Sequence, residues 1–215
     1  MAAASQAVAV KMAALQLPRN RPRLLMKMPS LLLFAIVFSI PLDAYAQARG
    51  SDFQITKITK NLITNPQYAY SGAEQYQGNQ RDRWLEVEVE FSAAPEFTDE
   101  LTFKYFILIN GKLLTGEVTH ADIVAGRENR SVMYVPPKAL LRFLNNRPMT
   151  PTSVQNIAVQ IVQQGTVKDE LNLVRAAAQW YTTIPALSGF VLNKNETPFA
   201  PLYWDRYERI RTPGR

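Results

Sequence analysis

The chain of 215 residues has no cysteine and a single histidine, His120. Without thiols there can be no disulfide staple, no thiolate catalysis and no lipid on an N-terminal cysteine. One histidine excludes a His-rich zinc centre. Glycine is scarce, with nine residues in all, and none falls in a Gly-rich loop of the kind that cradles phosphate. No serine stands in a Gly-x-Ser-x-Gly elbow. A Ser-His-Asp triad would have to use His120 beside Asp122, and chance proximity is the simpler account of that pair. Glu86, Glu88, Glu117 and Asp122 could supply carboxylates for glycoside hydrolysis, but nothing in the sequence selects two of them at the ~5 to 10 Å separation that chemistry needs. These absences predict a protein that is not an enzyme and carries no cofactor and no metal.

Long apolar runs are also missing. The one candidate, Leu31 to Ile40, is too short for a bilayer, which takes about 20 apolar residues. It follows a basic start at Met26-Lys27 and closes on Ala44-Tyr45-Ala46, the pattern of a secretory signal peptide with cleavage expected after Ala46. Residues 1–46 are therefore expected to be an over-long start followed by the signal, with a mature chain from near Gln47 and a polar leader to Asp52. That address predicts export to the periplasm, the outer membrane or the cell surface of a Gram-negative bacterium, with no integral membrane segment left after cleavage.

Charge of one sign is the next absence. The whole chain carries a formal +6, but residues 1–46 hold five bases and one acid, which leaves 19 bases against 17 acids in the rest. A nearly neutral mature chain gives no electrostatic reason for a nucleic-acid partner. With no disulfides, a packed core must supply the stability. About 170 residues suffice for one domain, which buries roughly 70% of its unfolded surface.

What is present is β pattern. Asn110-Gly111 between two strand-like runs predicts a hairpin, because a type I′ turn needs positive φ at both central residues. In its first arm Leu101, Phe103, Tyr105, Ile107 and Ile109 share one face, while Thr102, Lys104, Phe106 and Leu108 share the other. Phe53 to Ile63 predicts the first strand, and Trp84 to Phe91 alternates with Leu85, Val87, Val89 and Phe91 inward. Its other face holds Trp84, Glu86, Glu88 and Glu90, expected to be solvated or opposed by Lys57, Lys60 and Lys104. Ala93 to Asp99 is expected to turn at Pro95, and the residues after His120 to cross as a polar loop before a strand from Arg130 to Val135. Pro137 fits a first helical position, and Leu140, Leu141 and Leu144 form the apolar stripe of a short helix that could cover the hairpin's second face. Val154 to Gln164 and Leu171 to Ala177 predict a further hairpin turning over Gly165 to Asp169, and Trp180 to Ile184 is expected to be extended.

Together these make a mainly β fold: an immunoglobulin-like β-sandwich of about seven strands with one short inserted helix and a C-terminal wrapping tail. It is expected to form a single domain over residues 53–212. The tail, 187–212, gathers Phe190, Phe199, Tyr203, Trp204 and Tyr207 around Pro198 and Pro201. Aromatics are costly to leave in water, so it either wraps onto its own sandwich, where Phe106 and Leu108 need cover, or docks on a partner. The loop 65–83 adds Tyr68, Tyr70 and Tyr76. The residues expected to bind a partner are Phe199, Tyr203, Trp204, Tyr207, Tyr68, Tyr70 and Tyr76. A second reading, a carbohydrate-binding module, uses Tyr68, Tyr70, Tyr76 and Trp84 as stacking platforms.

The segments Asn193-Lys-Asn-Glu-Thr-Pro-Phe-Ala-Pro-Leu-Tyr-Trp-Asp-Arg-Tyr-Glu, Asp82-Arg-Trp-Leu-Glu-Val-Glu-Val and Lys104-Tyr-Phe-Ile-Leu-Ile-Asn-Gly resemble the secreted immunoglobulin-like proteins of Verrucomicrobia, including Akkermansia, that are linked to a type IV pilus-associated gene cluster. The resemblance covers roughly residues 50 to 212, and the tail is its most specific part. It implies an immunoglobulin-like fold, a place in the cell envelope and a role in pilus-like assembly, adhesion or host-surface contact, with no catalytic residues to carry over. Partners would be other envelope or pilus-associated proteins, and a homo-oligomer is compatible with it. A polymerising pilin keeps its apolar segment after processing, whereas Ala44-Tyr45-Ala46 places cleavage behind it, so the resemblance implies an accessory component.

Overall fold

A computed structural model of the chain describes residues 51–68, 71–72 and 82–212. The expected start, signal peptide and leader as far as residue 50, together with Tyr70 and Tyr76, lie outside the described residues. Among those described, the strands are β1 (Phe53–Thr64), β2 (Arg83–Ile109), β3 (Lys112–Val135), β4 (Val154–Gln163), β5 (Thr166–Asn172), β6 (Ala186–Ser188) and β7 (Leu192–Asn193). One α-helix, α1 (Pro137–Phe143), lies between β3 and β4. The mainly β outline with one short helix is as the sequence predicts.

Two of these strands are far longer than expected and build the architecture. β2 and β3 pair antiparallel along their whole length around the Asn110-Gly111 turn, where φ is 48° and 72°. The lower part of β2 is flanked by β1 and by β3, whose far end pairs with β7. Its upper part, from Thr102, lies between β3 and β4, with β5 beyond β4 and β6 parallel to the start of β3. The single hydrogen-bonded sheet thus runs as two halves joined through the β2–β3 ribbon.

The expected turn at 93–99 and the expected polar loop after His120 are both corrected. Chain pairing continues through them, with Phe97 opposite Val124 and Thr98 opposite Ile123. Register shifts at Phe91/Ala93 and Ala93/Phe97 absorb the irregularity, and bulges of this kind bend a strand without ending it. Pro95, which has no N–H to offer the ladder, sits inside that bulged segment, where a missing donor is tolerated.

Apolar alternation then fills the space between the halves. Leu85, Val87, Val89 and Phe91 from lower β2 share one core with Phe103, Tyr105 and Ile107 from upper β2, Ile55 and Ile58 from β1, and Val159 and Ile161 from β4. The far edges approach as well: the Ile55 amide donates to the Asp169 carboxylate at 2.6 Å, and the Ser51 hydroxyl donates to the Lys168 carbonyl at 3.0 Å. At roughly 25 cal/mol per Å² of apolar surface removed from water, this cysteine-free chain draws its stability from that core.

Three smaller differences have local causes. Gln164-Gly165 adopts positive φ at both residues, 49° and 78°, a two-residue turn that starts β5 at Thr166 instead of Leu171. Trp180–Thr183 coils into a 3-10 turn. That turn stacks Tyr181 on Phe106 with ring centroids 3.8 Å apart and packs it with Leu113 and Ala158, so the hairpin's second face is covered there and not by the helix. The helix α1 does begin with proline, and it buries Ala139, Leu140 and Phe143 in the main core while Leu141 faces outward.

A candidate partner-binding surface on the C-terminal tail

The outer face of lower β2 determines where the tail goes. Trp84, Glu86 and Glu88, expected to be solvent-facing, are all buried, because the tail lies over them. Phe199, 3% exposed, stacks on Tyr134 with centroids 4.8 Å apart and meets Trp84 edge-on at 5.6 Å. The tail therefore wraps its own domain: its start pairs beside the hairpin at Leu114 and Thr115, and Phe199 closes the outer face of lower β2. The Trp84 indole is spent in this contact and in a hydrogen bond to the Asn65 side chain, so it offers no stacking face.

The row of carboxylates is held mainly by arginines. Arg206 donates to both Glu88 oxygens at 3.0 and 2.8 Å, the Tyr207 hydroxyl donates to Glu88 at 2.8 Å, and Arg130 stands 3.8 Å away. Arg130 also lies 3.5 Å from Glu90, and Lys57 reaches Glu90 at 3.7 Å, as expected. Lys60 donates to the Val154 carbonyl at 3.4 Å. Glu86 accepts from Asn61 at 3.0 Å and from the Tyr134 hydroxyl at 3.3 Å. Burial, and then the hydrogen bond to Glu88, push the Tyr207 phenol well above its ordinary range. A buried carboxylate surrounded by donors in this way is a strong fastening for the segment that supplies them.

Beyond Tyr207 the tail joins the sheet. The Glu208 amide donates to the Arg130 carbonyl at 3.0 Å, the Ala121 amide to the Arg209 carbonyl at 2.9 Å, and the Arg211 amide to the Thr119 carbonyl at 2.8 Å. His120 lies opposite Ile210 in an isolated antiparallel bridge. Inside this seam, His120 Nδ1 is 3.0 Å from the Glu208 carbonyl and Nε2 is 2.7 Å from Ser131 Oγ, to which the Tyr105 hydroxyl donates at 2.7 Å. A consistent proton order runs Tyr105 to Ser131 to His120 Nε2, with Nδ1–H donating to the backbone. Burial lowers the His120 pKa to about 4, the backbone hydrogen bonds opposing it, so the ring is neutral at physiological pH.

Ser131 and His120 stand at the spacing of a nucleophile and its base. Both are fully enclosed, and Asp122 turns away to pair with Arg209 at 2.9 Å. In this position the pair clamps the tail to β3. Nothing in the sequence pointed to the contact between Ser131 and His120, which the pairing of β3 with the tail encloses.

The residues expected to bind a partner thus divide by position. Phe199 and Tyr207 anchor the tail inside the domain. Tyr68 is half-buried and donates to the Pro198 carbonyl, bringing the start of the 65–83 loop to the tail. Between the anchors, Tyr203 is 53% and Trp204 81% exposed. Tyr203 takes a left-handed φ of 54°, so the turn that lifts Trp204 off the surface is held on both sides. A cleft of about 850 Å³ runs beside it, between the end of β1 and the tail, with Asn65, Arg83, Leu202 and Tyr203 on its walls. Among the described residues no cluster of three or more metal-ligating side chains occurs, and no helix is long and apolar enough to cross a membrane.

Fold and surface together define a folded-over antiparallel β domain whose C-terminal tail closes one face and presents aromatics. More particularly, the chain belongs to the protein family whose profile matches residues 44–213. It is similar to a protein from Akkermansia muciniphila of known crystal structure, with 22% identity, a TM-score of 0.65, and coverage of 75% of this chain and 94% of that one. At that identity the likeness speaks for the fold. No curated protein matches the chain.

Proposed function

We propose that this is a non-enzymatic cell-envelope protein, an accessory component of a type IV pilus-like or adhesive assembly, acting through protein–protein contacts. The observation that carries the reading is Trp204, 81% exposed, on a turn fixed by Phe199 on one side and by Arg206 and Tyr207 on the other. A protruding, pre-ordered indole flanked by an arginine is the composition that interfaces concentrate their binding energy in. Holding it rigid reduces the ordering cost of association. The signal-peptide pattern before Gln47 supports an envelope location, and the resemblance to the secreted verrucomicrobial proteins supports the pilus-like context. The absent motifs, the enclosed Ser131–His120 pair and the lack of a metal-ligating cluster among the described residues support a role without chemistry.

The test is a photo-cross-linking residue placed at position 204 and irradiated in intact cells, beside a Trp204→Ala variant. Adducts with pilus-associated envelope proteins, lost from co-purification in the folded alanine variant, are the expected result. Turnover by the purified protein, saturable sugar binding on a glycan array, or the absence of any adduct would overturn it.

A further inference from the structure

The tail strand bounds a second cleft, of about 830 Å³. Lys194 lines it and is only 6% exposed, yet its ammonium makes one hydrogen bond, 2.8 Å to the Ala200 carbonyl. No carboxylate lies within ion-pair distance of it among the described residues. An ammonium has three donors, and a buried cation without a counter-charge is costly. Desolvation accordingly lowers the Lys194 pKa. The two arginines on the same walls are already matched, Arg209 with Asp122 and Arg211 with Glu100, so Lys194 is the cation left for a ligand.

Main-chain geometry adds an independent feature. Because the bonds to β3 are made by the Arg209 carbonyl and the Arg211 amide, the amide and carbonyl of Ile210 point the other way, and they have no partner among the described residues. Ile210 lines the cleft, so an open strand edge borders it, and such edges accept an extended chain by main-chain hydrogen bonding. Trp204 stands on the same rim. The acids at the mouth, Asp99, Glu100 and Asp122, disfavour a polyanion and leave room for a single carboxylate at the buried ammonium.

We infer that this cleft takes an extended, largely uncharged peptide segment of a partner protein, pairing with Ile210 and seating its single Asp or Glu carboxylate on Lys194 while an apolar neighbour rests on Trp204. The inference rests on the proposed function and names the chemistry by which it would choose a partner.

The test follows the Ile210 amide and the Trp204 indole of the full-length protein by NMR. Two blocked hexapeptides, acetyl-Thr-Val-Thr-Glu-Val-Thr-amide and its Gln counterpart, serve as probes. The Glu peptide is expected to give saturable shifts at both positions, and the Gln peptide to bind at least tenfold more weakly. Lys194→Met should abolish that preference and Lys194→Arg should retain it. Equal binding of the two peptides, no saturable shift at either residue, or a preference undiminished in Lys194→Met would overturn the inference. Should Lys194→Met fail to fold, the wild-type comparison and Lys194→Arg decide. Cross-links from position 204 that persist unchanged in Lys194→Met count against this site alone. Glu-selective binding in a protein that yields no envelope adduct counts against the proposed function alone.

Discussion

Phe199→Ala measures whether the tail is part of the domain or merely rests on it. The side chain is 3% exposed, stacked on Tyr134 and edge-on to Trp84. Removing a buried phenylalanine costs about 3–5 kcal/mol once the cavity is included, a large fraction of the roughly 5–15 kcal/mol that holds a domain folded. For a chain of this size, each kcal/mol shifts the melting temperature by roughly 2–4 °C, so a fall of about 6–20 °C is expected. Thermal unfolding followed by near-ultraviolet dichroism, supported by urea midpoints, reads it directly. Trp204→Ala is the control, since an exposed side chain away from the core changes stability by no more than about 0.5 kcal/mol. A loss below about 1 kcal/mol for Phe199→Ala, or equal losses for the two variants, would refute the anchored-tail description.

Other expectations follow from the same contacts. His120, with its pKa lowered to about 4, favours the fold in its neutral form. That contribution is complete above the unfolded value of about 6.5 and is lost as pH falls toward 4; an NMR titration of the ring with a midpoint above 6 would contradict it. Ser131→Ala leaves the Tyr105 hydroxyl and His120 Nε2 without their partner, and an unsatisfied buried group costs about 1–3 kcal/mol, measurable by urea unfolding. Gly116→Ala would bring a Cβ to 2.7 Å from the Val191 Cβ and 2.9 Å from its carbonyl. Overpacking of this kind costs typically about 1–3 kcal/mol, with faster amide exchange expected around β6 and β7. Truncation at Gly189 removes Val191, Phe199 and Tyr207 from buried positions and should leave an unfolded chain; a folded product that kept its partners would show the tail to be dispensable.

Much of the fold could be read from alternation. Leu101, Phe103, Tyr105, Ile107 and Ile109 are all buried, and Leu85, Val87, Val89 and Phe91 likewise, because a period of two sets the face of every residue once a strand forms. Asn110-Gly111 fixed the hairpin for an equally local reason, two residues that tolerate positive φ. The error at Pro95 and in the residues after His120 came from reading loop-forming residues as breaks. Two bulges let the ribbon bend and stay paired, and a bulge has no local sequence signature. The carboxylate face was misread for a different reason: Glu88 owes its burial to Arg206 and Tyr207, more than a hundred residues away.

The amino-acid order by itself determined the strand faces, the central hairpin, the cysteine-free reliance on a packed core and the placing of aromatics in the last 30 residues, since each depends on neighbours within a few positions. Only the tertiary structure decided which of those aromatics are anchors and which are presented, and that Lys194 and the Ile210 edge share one cleft. Those outcomes depend on which distant surface the tail covers, and that is set by long-range packing and the matching of buried charge.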